Sequence, residues 1–319
     1  MSSSSTPGDE VSARRRAEEA EASPGPSPEF VDRSQAATPN LLLTRAIAEL
    51  RLGPMPESAA AEARTLLAHV LRVELGRLVL VPSVGAADAR RFAELVAARV
   101  AGTPVQHLTR RGYFRHIDVE VGPGVFTPRP ETEAMAGWVI DRARELLTQG
   151  RGPVVVELCA GSGAISLAID QEAPGCEQYA VELDDAAADY AERNLAGTQV
   201  VFRRGDMAAA FPDLDGRVDL VVVNPPYIPL DAFETVAPDV RDAEPHLALF
   251  SGADGLDAMR VVVASAARLL RRGGFVAAEH AEVQADAAPA LFVASGQYDR
   301  VRDLPDLSGR PRFVVARRT

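Results

Sequence analysis

One stretch constrains this chain more than any other: Asp219-Leu220-Val221-Val222-Val223-Asn224-Pro225-Pro226-Tyr227. Its first half is an apolar, β-branched run of the kind that fills a buried strand, and its second half turns into an Asn-Pro-Pro-Tyr loop. Two successive prolines donate no hydrogen bond and cannot extend a central strand. The backbone therefore leaves the sheet with carbonyls and the Asn224 amide facing a cleft. Asn224 offers a carbonyl acceptor and an NH2 donor, Pro225 adds a carbonyl with no N–H beside it, and Tyr227 adds a flat face. This set suits a planar substrate NH2 group: two acceptors hold its hydrogens, the ring limits its plane, and the lone pair is left aimed at an electrophile. A surface turn is the competing reading, because Asn and Pro are common turn residues. The stretch alone does not separate the two.

Composition narrows the classes. A chain of 319 residues with 47% hydrophobic content has room for one large domain or two ordinary ones. Its two cysteines, Cys159 and Cys176, form no CxxC and no Cys/His cluster, which argues against a disulfide scaffold and a structural zinc, so no metal is expected. Such cysteine usage fits a reducing, cytoplasmic setting. There is no apolar run of about 18 residues and no apolar signal core in the Ser-rich N-terminus, so neither a membrane span nor a secretory signal is expected. The net charge of -11 opposes tight, nonspecific binding to nucleic acid.

Residues 1–40 mix Ser, Pro, Gly, Glu, Ala and Arg with few strongly apolar side chains, the pattern of a disordered tail. From 41 to 103 apolar residues recur at helical spacing, with Leu43, Ile47 and Leu50, then Ala63, Leu66, Leu67 and Val70, then Phe92, Leu95 and Val96, predicting a helical bundle. Residues 104–122 read as a linking β-hairpin, Gln106–Thr109 against Tyr113–Val121 across Arg110-Arg111-Gly112, with His107 and His116 as ordinary strand residues. The remainder, 123–319, alternates strands with helices and predicts an α/β domain built on a doubly wound, mainly parallel sheet. Arg312–Arg317 is expected to complete an edge hairpin.

Within that domain Val154–Leu158 reads as a buried strand feeding the loop Cys159-Ala160-Gly161-Ser162-Gly163 and a helix. Gly161 and Gly163 permit close backbone approach and the helix start presents free N–H groups. About 20 residues on, the next strand ends in Glu182, where a carboxylate can accept both ribose hydroxyls of a nucleoside. The third strand ends near Asp206 and Met207, suited to an adenine amino group and ring face, and the fourth at Asn224. In a doubly wound sheet these strand ends share one crevice.

The glycine loop with Glu182 resembles the class I S-adenosylmethionine methyltransferases, and Asn-Pro-Pro-Tyr resembles their amino-methylating branch. Three further stretches narrow the resemblance to the HemK family of protein-(glutamine-N5) methyltransferases that modify peptide-chain release factors. They are Thr127-Pro128-Arg129-Pro130-Glu131-Thr132-Glu133, Glu244-Pro245-His246-Leu247-Ala248-Leu249-Phe250-Ser251-Gly252-Ala253-Asp254-Gly255-Leu256, and Asp306-Leu307-Ser308-Gly309-Arg310-Pro311-Arg312. The resemblance implies a Rossmann-like fold and S-adenosyl-L-methionine as cofactor, held by Glu157, Cys159, Ala160, Gly161, Ser162, Gly163, Glu182, Leu183, Asp206, Met207 and Asn224. It also implies catalysis by Asn224, Pro225, Pro226 and Tyr227, and a lid formed by Phe126, Arg129 and Glu133. The family usually carries Asp and Gly where Glu157 and Cys159 stand, and often Trp or Leu in place of Met207.

The implied substrate is the glutamine of a release factor's Gly-Gly-Gln loop, with residues 41–103 recognising that protein, no direct nucleic-acid partner and a monomeric enzyme. Two alternatives remain: an adenine-N6 methyltransferase receiving a flipped base, and a release-factor-binding module without catalysis. A dehydrogenase is disfavoured because Ser166 occupies the third glycine position of the dinucleotide fingerprint. A nucleophilic Cys159 is disfavoured because no His lies near it in sequence.

Overall fold

The computed structural model describes residues 37–319, apart from 236, 237 and 242. The expected tail, residues 1–40, lies almost wholly outside the described residues. The chain divides into two units between Val105 and Gln106.

The first unit is built on three helices, α1 (Pro39–Leu50), α2 (Ala59–Leu71) and α3 (Ala86–Val100). Helix α1 begins two residues before the expected boundary, because Pro39 starts it and the Thr38 side chain accepts from the Leu41 N–H. Its buried stripe is Leu42, Ala46 and Leu50, and Leu43 and Ile47 sit at its margin. Together with Leu66, Leu67, Phe92 and Val96 this stripe forms the core. Arg99 is buried yet paired, its Nε and Nη2 donating to the Glu62 carboxylate at 2.8 and 2.9 Å and tying α3 to α2. Leu78 is buried, whereas the neighbouring Val79 and Leu80 are exposed.

A helical turn, α4 (Val105–Thr109), opens onto a two-stranded hairpin of β1 (Arg111–Phe114) and β2 (Ile117–Glu120). This corrects the sequence expectation: Gln106–Thr109, including His107, is helical, and the hairpin turns at Arg115-His116. The reversal at Arg115 needs a left-handed φ of 52°, a conformation costly for a side-chain-bearing residue. Tertiary ties hold it there. Arg115 N–H donates to Glu133 Oε1 at 2.9 Å, and its guanidinium donates to Glu172 at 2.6 and 2.8 Å.

The rest of the second unit is one sheet in the order β5-β4-β3-β6-β7-β9-β8. Its strands are β3 (Val154–Leu158), β4 (Glu177–Glu182), β5 (Val201–Arg204), β6 (Val218–Val223), β7 (Leu270–Glu279), β8 (Tyr298–Pro305) and β9 (Pro311–Arg318). β3 to β7 pair in parallel, and β9 pairs antiparallel with both β7 and β8. The terminal strand β9 is thus interior, and β8 forms the edge.

Helices α5 (Thr132–Thr148), α6 (Ala164–Glu172), α7 (Asp185–Asn194), α8 (Asp257–Leu269) and α9 (Ala287–Ala294) cover the sheet. All six residues of β6 are buried, and Leu220 to Val223 alternate between two cores. Leu220 and Val222 join Met135, Ile140 and Ile169 from α5 and α6; Val221 and Val223 join Met259, Val262 and Phe292 from α8 and α9. Period-2 alternation between two apolar layers is why Leu220–Val223 is unbroken Val and Leu, while Asp219 at the start of the strand is paired with Arg151 and Arg271. Among the described residues no helix is long and apolar enough to cross a membrane.

The chain winds outward from β3 through β4 to β5, then returns to β6 on the other side of β3. Carboxyl ends diverge at that reversal, and their crevice is where α/β sheets bind ligands. Register puts Leu158 beside Val223, so the loops after β3 and β6 emerge together.

Candidate active site

A cavity of about 650 Å³ occupies this switch point. On its β3 side, Glu157 is almost fully buried and accepts from the Ser166 backbone N–H at 2.9 Å and from the Ser166 hydroxyl. Burial pushes its carboxyl up to about 8, against the opposing effect of the Ser166 hydrogen bonds. A cation brought beside it draws it back to the charged form.

Cys159 follows with a left-handed φ of 56°, where the family usually has Gly. Its Sγ lies 3.6 Å from Met207 Sδ, joining the loops after β3 and β5. Burial, reinforced by Glu182 and Glu157, holds the thiol far above its usual range, which is the opposite of nucleophile activation. Replacing Cys159 with Ala is therefore expected to keep turnover within about threefold. Activity should also survive iodoacetamide at pH 8, since burial raises Cys176 as well, to about 11. Loss of turnover in either experiment gives the thiol a chemical role.

Gly161 and Gly163 serve different purposes. Gly161 (φ 56°) lines the cavity with open space where a Cβ would stand, so a ligand can approach its backbone. Gly163 (φ 78°) does not line the cavity; a Cβ there would lie 3.1 Å from Leu195, so it serves helix packing. Ala160 and Ser162 lie in the wall between β3 and α6.

Glu182 closes β4. Its Oε1 accepts from the Leu183 and Asp184 N–H groups at 2.8 and 2.9 Å, and its Oε2 from Gly161 N–H at 2.7 Å. Three of a carboxylate's four or so lone-pair directions are thereby taken. One remains for a ribose hydroxyl unless an amide is released, where the sequence suggested room for two. Leu183 is 55% exposed and offers an apolar surface at the cavity wall. Asp206 takes the Ala208 N–H on Oδ1 at 2.8 Å, leaving Oδ2 available beside Met207.

Across the switch point stand Asn224, Pro226 and Tyr227, whereas Pro225 is buried and outside the lining side chains. Asn224 Nδ2 donates to Thr132 Oγ1 at 3.3 Å. Tyr227 donates from its hydroxyl to Glu279 Oε1 at 3.3 Å, while its carbonyl accepts from Gln284 at 3.0 Å. Glu279 is 1% exposed, and burial raises its carboxyl to about 7.

Of the three expected lid residues, Phe126 and Arg129 line the cavity, with the Arg129 guanidinium 5.3 Å from the Phe126 ring centre. Arg129 donates to Glu244 at 3.1 Å, and Glu244 also accepts the Thr127 N–H at 3.2 Å. Glu133 is a correction: its carboxylate is committed to Arg115 in the hairpin and does not reach the cavity. Phe233 stacks with His246 and Phe250, and Val240 lines the cavity; residues 236 and 242 lie outside the described residues.

Thr132, Glu279 and Arg312 also line the cavity and were not singled out from sequence. A signal existed for Glu279, an acid ending the apolar run Phe275–Ala278 just as Glu157 and Glu182 end theirs. His280 is fully buried and bonded at both ring nitrogens, to Ala281 O and Asp303 Oδ1, each at 2.9 Å.

S-adenosylmethionine is tested by what these walls offer. An open glycine backbone, a carboxylate at the end of β4 with one lone-pair direction left, an Asp oxygen that could take an amino group and a buried carboxylate beneath the loop are groups that fit it. The crossing of this sheet with this donor set defines an S-adenosylmethionine-dependent methyltransferase. Two domain families match the chain, the PrmC N-terminal domain over residues 42–109 and the methyltransferase small domain over 138–248. A release factor glutamine methyltransferase of Streptomyces coelicolor is 49% identical over 265 residues, 83% of this chain and 92% of its own. The chain belongs to the release factor glutamine methyltransferase family. Another such relative, from Mycolicibacterium smegmatis, is 44% identical over 81% of this chain and 90% of its own. A 4-amino-L-phenylalanine/4-methylamino-L-phenylalanine methyltransferase of Streptomyces pristinaespiralis is 38% identical over 79% and 86%.

Proposed function

We propose that this enzyme transfers a methyl group from S-adenosylmethionine to the side-chain amide nitrogen of the glutamine in a release factor's Gly-Gly-Gln loop, modulating translation termination. The observation that carries this is Asn224, seated at the cavity with Nδ2 engaged by Thr132 so that its oxygen is left for a substrate donor. When bound, S-adenosylmethionine supplies an electrophilic methyl group. Glu182, Asp206, Met207 and, from the loop after β3, Glu157, Cys159, Ala160, Gly161 and Ser162 would hold its nucleoside and charged ends.

An amide nitrogen is a poor nucleophile because its lone pair is delocalised into the carbonyl, so positioning supplies most of the acceleration. Asn224 Oδ1 and the Pro225 carbonyl accept the two amide hydrogens and favour a pyramidal nitrogen. Pro226 and Tyr227 clamp the amide plane. Phe126 and Arg129, tied down by Glu244, cover the site and exclude water. Residues 41–103 recognise the release factor. The enzyme acts in the cytoplasm as a monomer, with neither nucleic acid nor membrane as a direct partner. Neither the adenine-methylating nor the inactive-binder alternative is favoured, given relatives named for glutamine methylation.

The test is transfer of labelled methyl to a purified release factor, beside the same factor with its Gly-Gly-Gln glutamine replaced. Label confined to the intact factor supports the proposal; label on DNA or RNA alone overturns it.

A further inference from the structure

Glu279 ends β7 beside Asn224 and Tyr227, and the chemistry outlined above leaves it without a task. Its Oε1 accepts from the Tyr227 hydroxyl, while Oε2 is buried with no partner within hydrogen-bond distance. The Thr132 hydroxyl, at the start of α5, faces this carboxylate and favours its charged form. The same hydroxyl accepts from Asn224 Nδ2 at 3.3 Å. Two hydrogen-bonded pairs, Asn224–Thr132 and Tyr227–Glu279, thus line one wall of the cavity, with the Thr132 hydroxyl near enough to the Glu279 carboxylate to favour its charged form.

Proton counting shows what the group does. A threonine hydroxyl has one proton, and an ionised carboxylate can only accept. With Glu279 ionised, the Thr132 proton turns to it, and Thr132 can only accept from Asn224. That fixes the amide with Nδ2 inward and Oδ1 toward the substrate. With Glu279 protonated, its carboxyl can donate to Thr132, the hydroxyl proton is freed toward Asn224, and the amide can invert. An inverted amide presents a donor to a donor.

We propose that Glu279 is a positioning residue for methyl transfer: through Thr132 and Tyr227 it keeps the acceptor face of Asn224 and the plane of the Tyr227 ring turned to the substrate amide. This deepens the proposed glutamine methylation and rests on it. The charged groups around Glu279 are Arg312 on β9, which favours its ionised form, and Glu131 ahead of α5, which opposes it; the Tyr227 hydroxyl donates to it. Burial outweighs them, so Glu279 titrates near 7 and ionises as pH rises.

The test uses the full chain, saturating S-adenosylmethionine and a purified release factor between pH 6 and 8. Saturation keeps titration of Glu157 at the cofactor side out of kcat. Unaltered enzyme is expected to gain about tenfold in kcat across this range, the ratio of ionised fractions for a group titrating near 7. Glu279→Gln should lower kcat at pH 8 by about 30-fold and abolish the rise, with cofactor affinity unchanged within about threefold. Thr132→Val should match it, Thr132→Ser should recover to within about threefold of the unaltered enzyme, and combining Glu279→Gln with Thr132→Val should add little. A Glu279→Gln enzyme with unchanged kcat and an intact pH rise overturns the assignment, as does a Thr132→Ser enzyme no better than Thr132→Val. A loss of cofactor affinity in step with kcat also overturns it, by showing a merely structural role. Failure of the unaltered enzyme to label the factor overturns the function itself, and this assignment with it.

Discussion

Asn224→Ala is expected to yield a folded enzyme that binds S-adenosylmethionine within about fivefold of normal but methylates its release factor about 10³-fold more slowly. The size follows from what is removed. In the proposed reaction Asn224 Oδ1 is a preorganised acceptor acting on the nitrogen as its charge changes, and losing one such group in a water-excluded site typically costs about 3–4 kcal/mol of transition-state stabilisation. The fold should survive, because the amide makes one long hydrogen bond, to Thr132 at 3.3 Å, and the strand behind it is held by Val221, Val222 and Val223. Calorimetric titration of cofactor and single-turnover label transfer separate the two quantities. A modest loss of about threefold would show that the Pro225 carbonyl and Tyr227 position the amide unaided.

Glu182→Ala should act on the opposite half of the site and show mainly in cofactor affinity. One carboxylate organises the Gly161, Leu183 and Asp184 amides while facing the cavity. Its loss removes a ribose acceptor and also frees three N–H groups, each a charge-assisted hydrogen bond of about 1.5–3 kcal/mol. Water reaching the emptied site restores part of that, so the expected net loss is about 3 kcal/mol, or about 100-fold in Kd. Glu182→Gln should recover little, since its NH2 faces backbone donors. Saturating cofactor should restore much of kcat in either variant, whereas it cannot rescue Asn224→Ala. Cofactor affinity within threefold of normal in Glu182→Ala would place the nucleoside elsewhere in the cavity.

The parts of this fold legible in the sequence are those dictated by local pattern. The β-branched runs at Val154–Leu158 and Val218–Val223 read as strands because each residue must pack on one of two apolar layers. The Pro-Pro step after Asn224 cannot stay in a sheet. Acids at successive strand ends, Glu157 and Glu182, mark a crevice because parallel strands present their carboxyl ends together. The family motifs added an activity to that frame.

Tertiary structure alone decided the rest. Gln106–Thr109 joined a helix, and the hairpin turned at Arg115 because Glu133 and Glu172 hold that residue in a left-handed conformation. Those ties also drew Glu133 away from the cavity and left Glu244, more than 100 residues along the chain, to anchor Arg129. Thr132 came to lie under Asn224 across 92 residues, and Glu279 met Tyr227 across 52. The sequence by itself determined the layers, the strand ends and the Asn-Pro-Pro-Tyr turn that lines the crevice, because these follow from periodicity and backbone chemistry. Which groups bond to that turn was decided by folding, because a hydrogen bond between distant residues leaves no periodic trace in the chain.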